Sequence, residues 1–285
     1  MTTTASIPES PDLALALKTL WGASRWPGFS DSTVALAPAG WSETVRRLHQ
    51  LVGVRASGLL HGPNGVGKSF LVHRWAGELS PKQYRLVRLS HSRLMGSDLL
   101  RQLVSLGGKK PLYRRGDNVL TLAALWQEWS PLWPVLVLEE AQDLNPTALE
   151  ELRLLTCARA DTQSPFSLLL VGDDELLPRL QLGIHRPLLS RLGFCLRLEH
   201  WSKEALQSYL QGRLAEVGIH ATPFEAPAQE LLLQGAQGSP RSLNSLLQRS
   251  LENAALAGRR QVVPADVQSA LDTLPWVMRP AAART

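Results

Sequence analysis

The chain has 285 residues, 44% of them hydrophobic, and a formal net charge of +5 at neutral pH. This length suits one α/β domain with a smaller helical appendage. The longest apolar stretches, Val135–Leu138 and Leu168–Val171, are as long as strands and far too short to cross a bilayer. Met1–Pro11 lacks the basic and apolar regions of a secretory signal. We therefore expect a cytoplasmic protein without a membrane helix. Its two cysteines, Cys157 and Cys195, are predicted to be reduced core residues.

Residues 1–40 form a predicted N-terminal extension. Three tryptophans, Trp21 and Trp26 within it and Trp41 directly after it, accompany scattered Pro, Gly and Ser residues. This composition is typical of an extended arm that docks at a few aromatic points, and a packed lead-in is the alternative. From Trp41 onward, apolar residues at helical spacing predict a helix before the first strand.

Residues 41–200 are predicted to form an α/β domain. Short apolar runs recur along this part of the chain, and a helical or loop segment separates each from the next. The predicted strands are Ser57–Leu60, Arg85–Leu89, Val135–Leu138, Ser167–Val171 and Cys195–Leu198. Strands that alternate with helices favour a parallel sheet covered by helices.

The part of the chain beyond residue 200 changes character, because helical patterns replace the strands. The predicted helices are Lys203–Val217, Ala226–Gln234, Pro240–Ala257 and Pro264–Leu274. Proline in a first turn and glycine after a last turn mark plausible helix boundaries. We expect a small all-α domain over residues 201–275, followed by a tail at residues 276–285.

A glycine-rich loop follows the first predicted strand and precedes a helical run. Its sequence has the spacing G-x-x-x-x-G-K-[ST], in which backbone N–H groups and the positive end of the next helix bind phosphate. The predicted nucleotide-binding residues are Gly62, Pro63, Asn64, Gly65, Val66, Gly67, Lys68, Ser69 and Phe70. Lys68 is expected to reach the β- and γ-phosphates of ATP, and the Ser69 hydroxyl to ligate Mg²⁺.

The third predicted strand ends in two acids, Glu139 and Glu140. Four apolar residues before them suit a central strand buried on both faces, with the carboxylates emerging beside the phosphate loop. Glu139 takes the metal-side position, and Glu140 is predicted to polarise the attacking water. The metal-side residue is usually aspartate. With a glutamate there, we expect either slow hydrolysis or a magnesium ion held through water.

The ordered motifs resemble the AAA+ ATPases of the ExeA-like group, which includes the transposition helpers TniB and TnsC and is related to MuB. Besides the phosphate loop, the resemblance rests on Leu138–Leu144, similar to "DEAQ-L", and on Glu150–Leu155. It also rests on Leu170–Leu176, similar to "LVGQPEL", and on Gly238–Arg241, similar to "GNPR". It implies a P-loop NTPase fold with a parallel five-stranded sheet and a C-terminal all-α lid domain.

The resemblance also assigns roles near the nucleotide. Asp173, with Asp174 after it, stands where these proteins place a polar sensor, although an acid there departs from their usual Asn, Thr or Gln. Arg241 resembles the sensor arginine of the lid. Arg191 lies in the region that supplies an arginine finger to a neighbouring subunit, and Arg186 is the competing candidate. A finger acting on a neighbour implies a homo-oligomer, either a ring or a helical filament.

A basic cluster lies between the second and third predicted strands. It contains Lys109, Lys110, Arg114 and Arg115, with glycines on both sides and one aromatic residue. In the resembled assemblies this region tends to face the central channel, which implies contact with a phosphate backbone and salt-dependent, largely sequence-independent binding. A solvated basic loop is the alternative.

Taken together, the motifs and the resemblance indicate an ATPase that regulates DNA transposition. We expect ATP-bound subunits to assemble on double-stranded DNA, to recruit a transposase and a target-selection protein, and to disassemble on hydrolysis. An ExeA-like secretion-associated ATPase, a helicase-loader ATPase of DNA replication and a nucleotide-gated signalling switch are the alternatives.

Overall fold

The computed structural model describes residues 18–23, 38, 40–90, 94–157 and 164–274. The chain divides into two compact units. The first, which we call the α/β unit, comprises Ala39–Glu199, and the second, the helical unit, joins Met1–Pro38 to His200–Thr285. Within the described residues, no helix is both long and apolar enough to cross a membrane.

The α/β unit is built on a parallel five-stranded sheet, as the sequence predicts. The strands are β1 (Ser57–His61), β2 (Tyr84–Leu89), β3 (Trp133–Leu138), β4 (Ser167–Val171) and β5 (Leu192–Arg197). Their order across the sheet is β2-β3-β4-β1-β5, and each neighbouring pair is parallel. β1 and β4 are buried along their whole length. In β4 this burial on both faces accounts for the continuous rather than alternating apolar run Leu168–Val171.

Helices flank this sheet. They are Gly40–Gly53, Lys68–Glu78, Gly96–Leu106, Arg115–Glu128, Pro146–Thr156, Leu176–Gln181 and Arg186–Leu189, and a 3₁₀ turn covers Ala141–Asp143. A hydrophobic core cluster packs apolar residues of five of these helices, among them Leu99, Leu122 and Leu152, against Leu136 and Leu168 of the central strands. The sheet is thereby held rigid where the loops after its strands begin.

The helical unit contains the helices that the sequence predicts beyond residue 200. They are Lys203–Glu216, Ala226–Ala236, Pro240–Leu256 and Pro264–Thr273. Ser202 and Ser239 cap two of them, because each hydroxyl accepts a hydrogen bond from a first-turn N–H. The lid role of this unit stays a prediction.

Two sequence expectations about particular side chains are wrong. Trp41 is not part of an extended arm, because it lies in the first turn of the helix Gly40–Gly53 and is buried. Cys157 and Cys195 are both free, but Cys157 is only partly buried and Cys195 is exposed. Cys195 lies in β5, an edge strand in which alternate residues are exposed.

The other two tryptophans of the predicted extension differ in what can be said of them. The indole N–H of Trp21 donates to the carbonyl oxygen of Arg260, and Trp26 lies outside the described residues.

The glycine of β1 generates a test of this packing. A Cβ atom at Gly58 would stand 2.5 Å from Leu51 Cδ1 and 2.9 Å from Phe194 Cβ. We expect Gly58→Ala to lower the free energy of unfolding by about 1–3 kcal/mol, as overpacking does. Gly53→Ala is the control, because a Cβ there meets nothing within 4 Å. Urea unfolding measures both variants, and equal stabilities would contradict the described packing.

Candidate functional site

The carboxyl ends of the central strands meet at one edge of the sheet, which we call the nucleotide edge. The phosphate loop follows β1, the two acids follow β3, and Asp173 comes shortly after β4. Because β4 lies between β3 and β1, these three segments are neighbours although more than 100 residues separate the first from the last. Ligands bind at such an edge in open α/β sheets.

Local sterics determine the shape of the phosphate loop. Gly65 and Gly67 have φ angles of 82° and 102°, in the left-handed region that glycine tolerates. Gly62 is needed for space, because a Cβ there would stand 2.2 Å from the carbonyl oxygen of Leu198. The helix that follows begins at Lys68, so its first N–H groups and its dipole are available to an anion. The loop therefore fits a nucleotide phosphate.

Lys68 is held at this loop. Its side chain is buried, and Nζ donates to the carbonyl oxygens of Gly62 at 2.8 Å and Pro63 at 2.9 Å. Ser69, the next residue, is exposed. The predicted lysine and serine thus lie together at the start of the helix, where the motif needs them.

Trp41 is a member of this site that sequence reasoning assigned elsewhere. A Cβ atom at Gly67 would come within 2.8 Å of the Trp41 ring, so the indole packs directly on the loop. Its ring centroid is 5.9 Å from that of Phe70, which is 43% exposed. The apolar spacing from Trp41 onward carried the signal, because it places Trp41 on the buried face of a helix.

Glu140 is exposed at the nucleotide edge, as a residue that polarises water must be. Its backbone is left-handed, with φ at 51°. Gln142 Nε2 donates to Glu140 Oε2 at 2.8 Å, and Gln142 Oε1 accepts from the backbone N–H of Asp173 at 3.2 Å. Gln142 therefore joins the acid after β3 to the turn after β4. Arg179 holds the 3₁₀ turn after β3 in place by donating to the carbonyl oxygens of Gln142 and Leu144.

Sequence reasoning quoted Gln142 within a motif but gave it no role. Asp173 accepts from the N–H of Glu175 at 3.0 Å, so its carboxylate caps the next turn. Gln142 and its partner Glu140 belong to the same motif, but its contact with Asp173 could be found only from the pairing of β3 with β4.

Glu139 faces a cation of the chain itself. It is buried, and its Oε1 accepts from Arg88 Nη2 at 2.6 Å. An arginine of the chain thus binds one oxygen of the predicted magnesium ligand, and the metal role of Glu139 stays a prediction. Ser69 is not committed in this way. Among the described residues, no group of three or more His, Cys, Asp or Glu side chains could hold a metal ion.

A fourth acid of the edge, Asp174, contacts side chains of the strands β1 and β5. His61 Nδ1 lies 3.2 Å from Asp174 Oδ1, and Arg197 Nε donates to the same oxygen at 3.3 Å. Burial acts to raise the pKa of Asp174, but the hydrogen bonds from Arg197 and His61 outweigh it and lower the pKa below the ordinary value. These two contacts join the ends of β1 and β5 to the loop after β4.

The three arginines predicted to act on the nucleotide belong to other segments of the sequence. Arg191 and Arg186 are exposed before β5, and Arg186 Nε donates to the carbonyl oxygen of Gln181. Arg241 is exposed in the first turn of Pro240–Leu256, in the helical unit. In the part of the chain that the structure describes, neither Arg191 nor Arg241 has an ion-pair partner. Their assigned roles stay predictions.

Two of the four cations predicted to bind DNA have partners within the chain. Lys109 Nζ donates to Glu128 at 2.9 Å. Arg115 contacts both carboxylate oxygens of Glu151, with distances of 2.5 and 2.7 Å. Such a two-point contact has a fixed geometry. Arg115 therefore has a structural role, since it ties the start of its helix to the helix Pro146–Thr156.

The other two cations, Lys110 and Arg114, lie on the loop between the helices Gly96–Leu106 and Arg115–Glu128. We call residues 110–114 the clamped loop, because a side chain holds part of its backbone. The buried Asn118 accepts from the N–H of Leu112 and donates to the carbonyl oxygens of Leu112 and Arg114, at 2.8 to 3.1 Å. Between these points Tyr113 is 93% exposed. Lys110 and Arg114 are exposed, and neither has an ion-pair partner within the described residues.

Comparison with known proteins agrees with this architecture. A family model described as an AAA domain matches residues 52–180. General secretion pathway protein A of Aeromonas hydrophila is 31% identical over 136 residues, which are 48% of this chain and 25% of that protein. The match thus spans about a quarter of that relative's length.

Solved structures show the same fold. Cdc6p from Pyrobaculum aerophilum has a TM-score of 0.68 at 19% identity, over 89% of this chain and 70% of that chain. The Aeropyrum pernix ORC1 protein in complex with DNA has a TM-score of 0.62 at 17% identity, over 82% and 67%. The Thermotoga maritima RuvB Holliday junction branch migration motor has a TM-score of 0.56 at 20% identity, over 84% and 70%. The chain has the P-loop AAA+ fold.

The lowered pKa of Asp174 makes a pH-dependent test possible. A depressed carboxyl pKa stabilises the fold above the unfolded value near pH 4, and this contribution is lost as pH falls through the folded pKa. We expect Asp174→Asn to cost less than about 1 kcal/mol at pH 7, because the pair is half-exposed, and the difference from wild type to shrink below about pH 4. Chemical unfolding across pH measures it. Glu175→Gln in the same loop is the control, and a pH-independent difference for Asp174→Asn would contradict the assignment.

Proposed function

We propose that this AAA-domain protein is an ATP-dependent regulator of DNA transposition. In this proposal subunits with bound ATP assemble on double-stranded DNA, recruit a transposase and separate after hydrolysis. The observation that carries it is the nucleotide edge, where the phosphate loop, Glu140 and Asp173 follow three adjacent strands. An assembly switch needs such a site, because the difference between ATP and ADP is read at the γ-phosphate.

The residues of the edge have separate parts in the proposed hydrolysis. The loop amides and Lys68 bind the phosphates, and Ser69 remains the proposed Mg²⁺ ligand. Glu140 orients water for attack, and Gln142 fixes the direction of its carboxylate. Since Gln142 also holds the backbone of Asp173, a change at the γ-phosphate can pass to the turn after β4.

Assembly is supported by the surface before β5. Leu182 and Ile184 are 55% and 69% exposed, and they lie in the chain just before Arg186 and Arg191. Exposed aliphatic side chains next to arginine are typical of a protein–protein interface. We propose that this surface contacts a neighbouring subunit, to whose ATP Arg191 would donate as a finger.

DNA binding is supported by charge and by the clamped loop. The chain carries a net charge of +5, and Lys110 and Arg114 are exposed on a loop whose backbone Asn118 holds. Cations presented in this way suit contact with phosphates, which positions a protein without reading sequence. One solved structure with the same fold is a complex with DNA, which is consistent with this part of the proposal.

A secretion-associated ATPase is the second candidate. The observation in its favour is the 31% identity to general secretion pathway protein A over residues of one quarter of that protein. The role in transposition rests instead on the motif resemblance. DNA dependence of assembly discriminates between them, because the secretion function predicts none.

The role of Glu140 can be tested with Glu140→Gln. We expect ATP hydrolysis to fall by about 10²-fold or more, as removal of a general base does, while ATP binding is retained and assemblies on DNA persist longer. Turnover and size-exclusion profiles with ATP, ADP and a non-hydrolysable analogue measure this, with the surface variant Glu78→Gln as control. Unchanged turnover would remove Glu140 from its role, and assembly that ignores ATP and DNA would contradict the proposed function.

The clamped loop can be tested with two matched double variants. We expect Lys110→Ala/Arg114→Ala to weaken DNA binding and to reduce the slope of log affinity against log salt by about 2, since each phosphate contact contributes about 0.9. Lys109→Ala/Arg115→Ala removes the same charge, but its main effect is expected on stability. Salt-dependent mobility shifts and thermal unfolding separate the two. Equal DNA affinities for both variants would place the DNA site elsewhere.

A further inference from the structure

None of the binding or catalytic roles proposed for the nucleotide edge accounts for the ion pair between Arg88 and Glu139. Arg88 lies on β2 opposite Val137 of β3, and paired residues of parallel strands point to the same face of the sheet. Val137 and Glu139 also share that face, because side chains alternate along a strand. The register of β2 with β3 therefore brings the guanidinium beside the metal-side acid.

The pair is well enclosed. The Glu139 side chain is 6% exposed and that of Arg88 is 27% exposed, and their closest atoms are 2.6 Å apart. A buried carboxylate requires a partner, because the loss of hydration is costly. The additional methylene of a glutamate, relative to an aspartate, extends its reach to the neighbouring strand.

A third side chain fixes the arginine from the other side. Arg88 Nη1 lies 3.0 Å from His73 Nδ1. Arginine can only donate, so this histidine nitrogen is the acceptor. His73 belongs to the helix that begins with Lys68 and Ser69. Arg88 therefore connects the phosphate-loop helix to the acid after β3.

We infer that Arg88 is a built-in counter-ion for Glu139, so that the metal-side acid is neutralised by the chain and ATP binding depends little on a divalent cation. The inference deepens the proposed nucleotide function and rests on it. With Arg88 in place, Glu139 does not repel the phosphates of metal-free ATP. Without Arg88, an uncompensated carboxylate remains at the nucleotide edge, and a divalent cation is needed to offset its charge.

The test compares the Kd of a fluorescent ATP analogue in Mg²⁺ and in EDTA. For the wild type we expect the two values to agree within about threefold, whereas in Arg88→Met the value in EDTA should exceed that in Mg²⁺ by about tenfold or more, the size of effect typical of a close charge pair. Arg88→Met/Glu139→Gln, which removes both charges, should return to the wild-type ratio. Arg88→Lys keeps the cation and should also retain it.

Three outcomes overturn or decide the inference. A wild-type ratio of tenfold or more that Arg88→Met leaves unchanged would overturn it. If thermal unfolding shows that Arg88→Met does not fold, Glu139→Asp, which shortens the acid, should show the increased ratio instead, and an unchanged ratio there would overturn the inference.

If the wild type binds no ATP in either condition, the proposed function fails. The inference about Arg88 is then tested by titration with Mn²⁺ in the absence of nucleotide. Tighter Mn²⁺ binding by Arg88→Met than by wild type and the double variant supports the inference, and equal binding overturns it.

Discussion

The position of β4 between β3 and β1 is the constraint on which the nucleotide edge depends. It places Glu140, Asp173 and the phosphate loop next to one another, although their order in the chain is different. The constraint holds because the central strands are buried, so their backbone groups must pair with those of the neighbouring strands in one register. The same register determines which face of β3 carries Glu139. Packing in the interior thus fixes the chemistry at the edge.

The nucleotide edge carries more acids than a site for a triphosphate would tolerate without compensation. Each has a partner within the chain: Arg88 for Glu139, the Gln142 amide for Glu140, the backbone N–H of Glu175 for Asp173, and Arg197 with His61 for Asp174. Partners of this kind fix the direction in which a carboxylate points. The acids are therefore oriented within the fold, which reduces the rearrangement that the approach of a nucleotide requires.

The sequence was sufficient for the strands, for the phosphate loop and for the two acids after β3, because periodicity and short motifs are local properties. It was insufficient for the contacts of Arg88 with Glu139 and of Gln142 with Asp173, since these join residues that only the strand pairing brings together. The basic cluster shows the same limit. Four cations in one segment look equivalent, yet Lys109 and Arg115 have acidic partners on other helices. The composition of the first 40 residues suggested an extended arm, but Trp41 stands at the start of a helical pattern, and this position determines its burial.

Asn118 limits the conformational entropy that the loop around Tyr113 can lose when it binds a partner. Its amide holds the backbone on both sides of the tyrosine, and fixing one residue's backbone costs about 1–2 kcal/mol of conformational entropy. In this loop the chain meets that cost when it folds rather than when it binds. A partner consequently encounters a shape that already exists, and one whose surface does not match cannot be accommodated by remodelling of the loop.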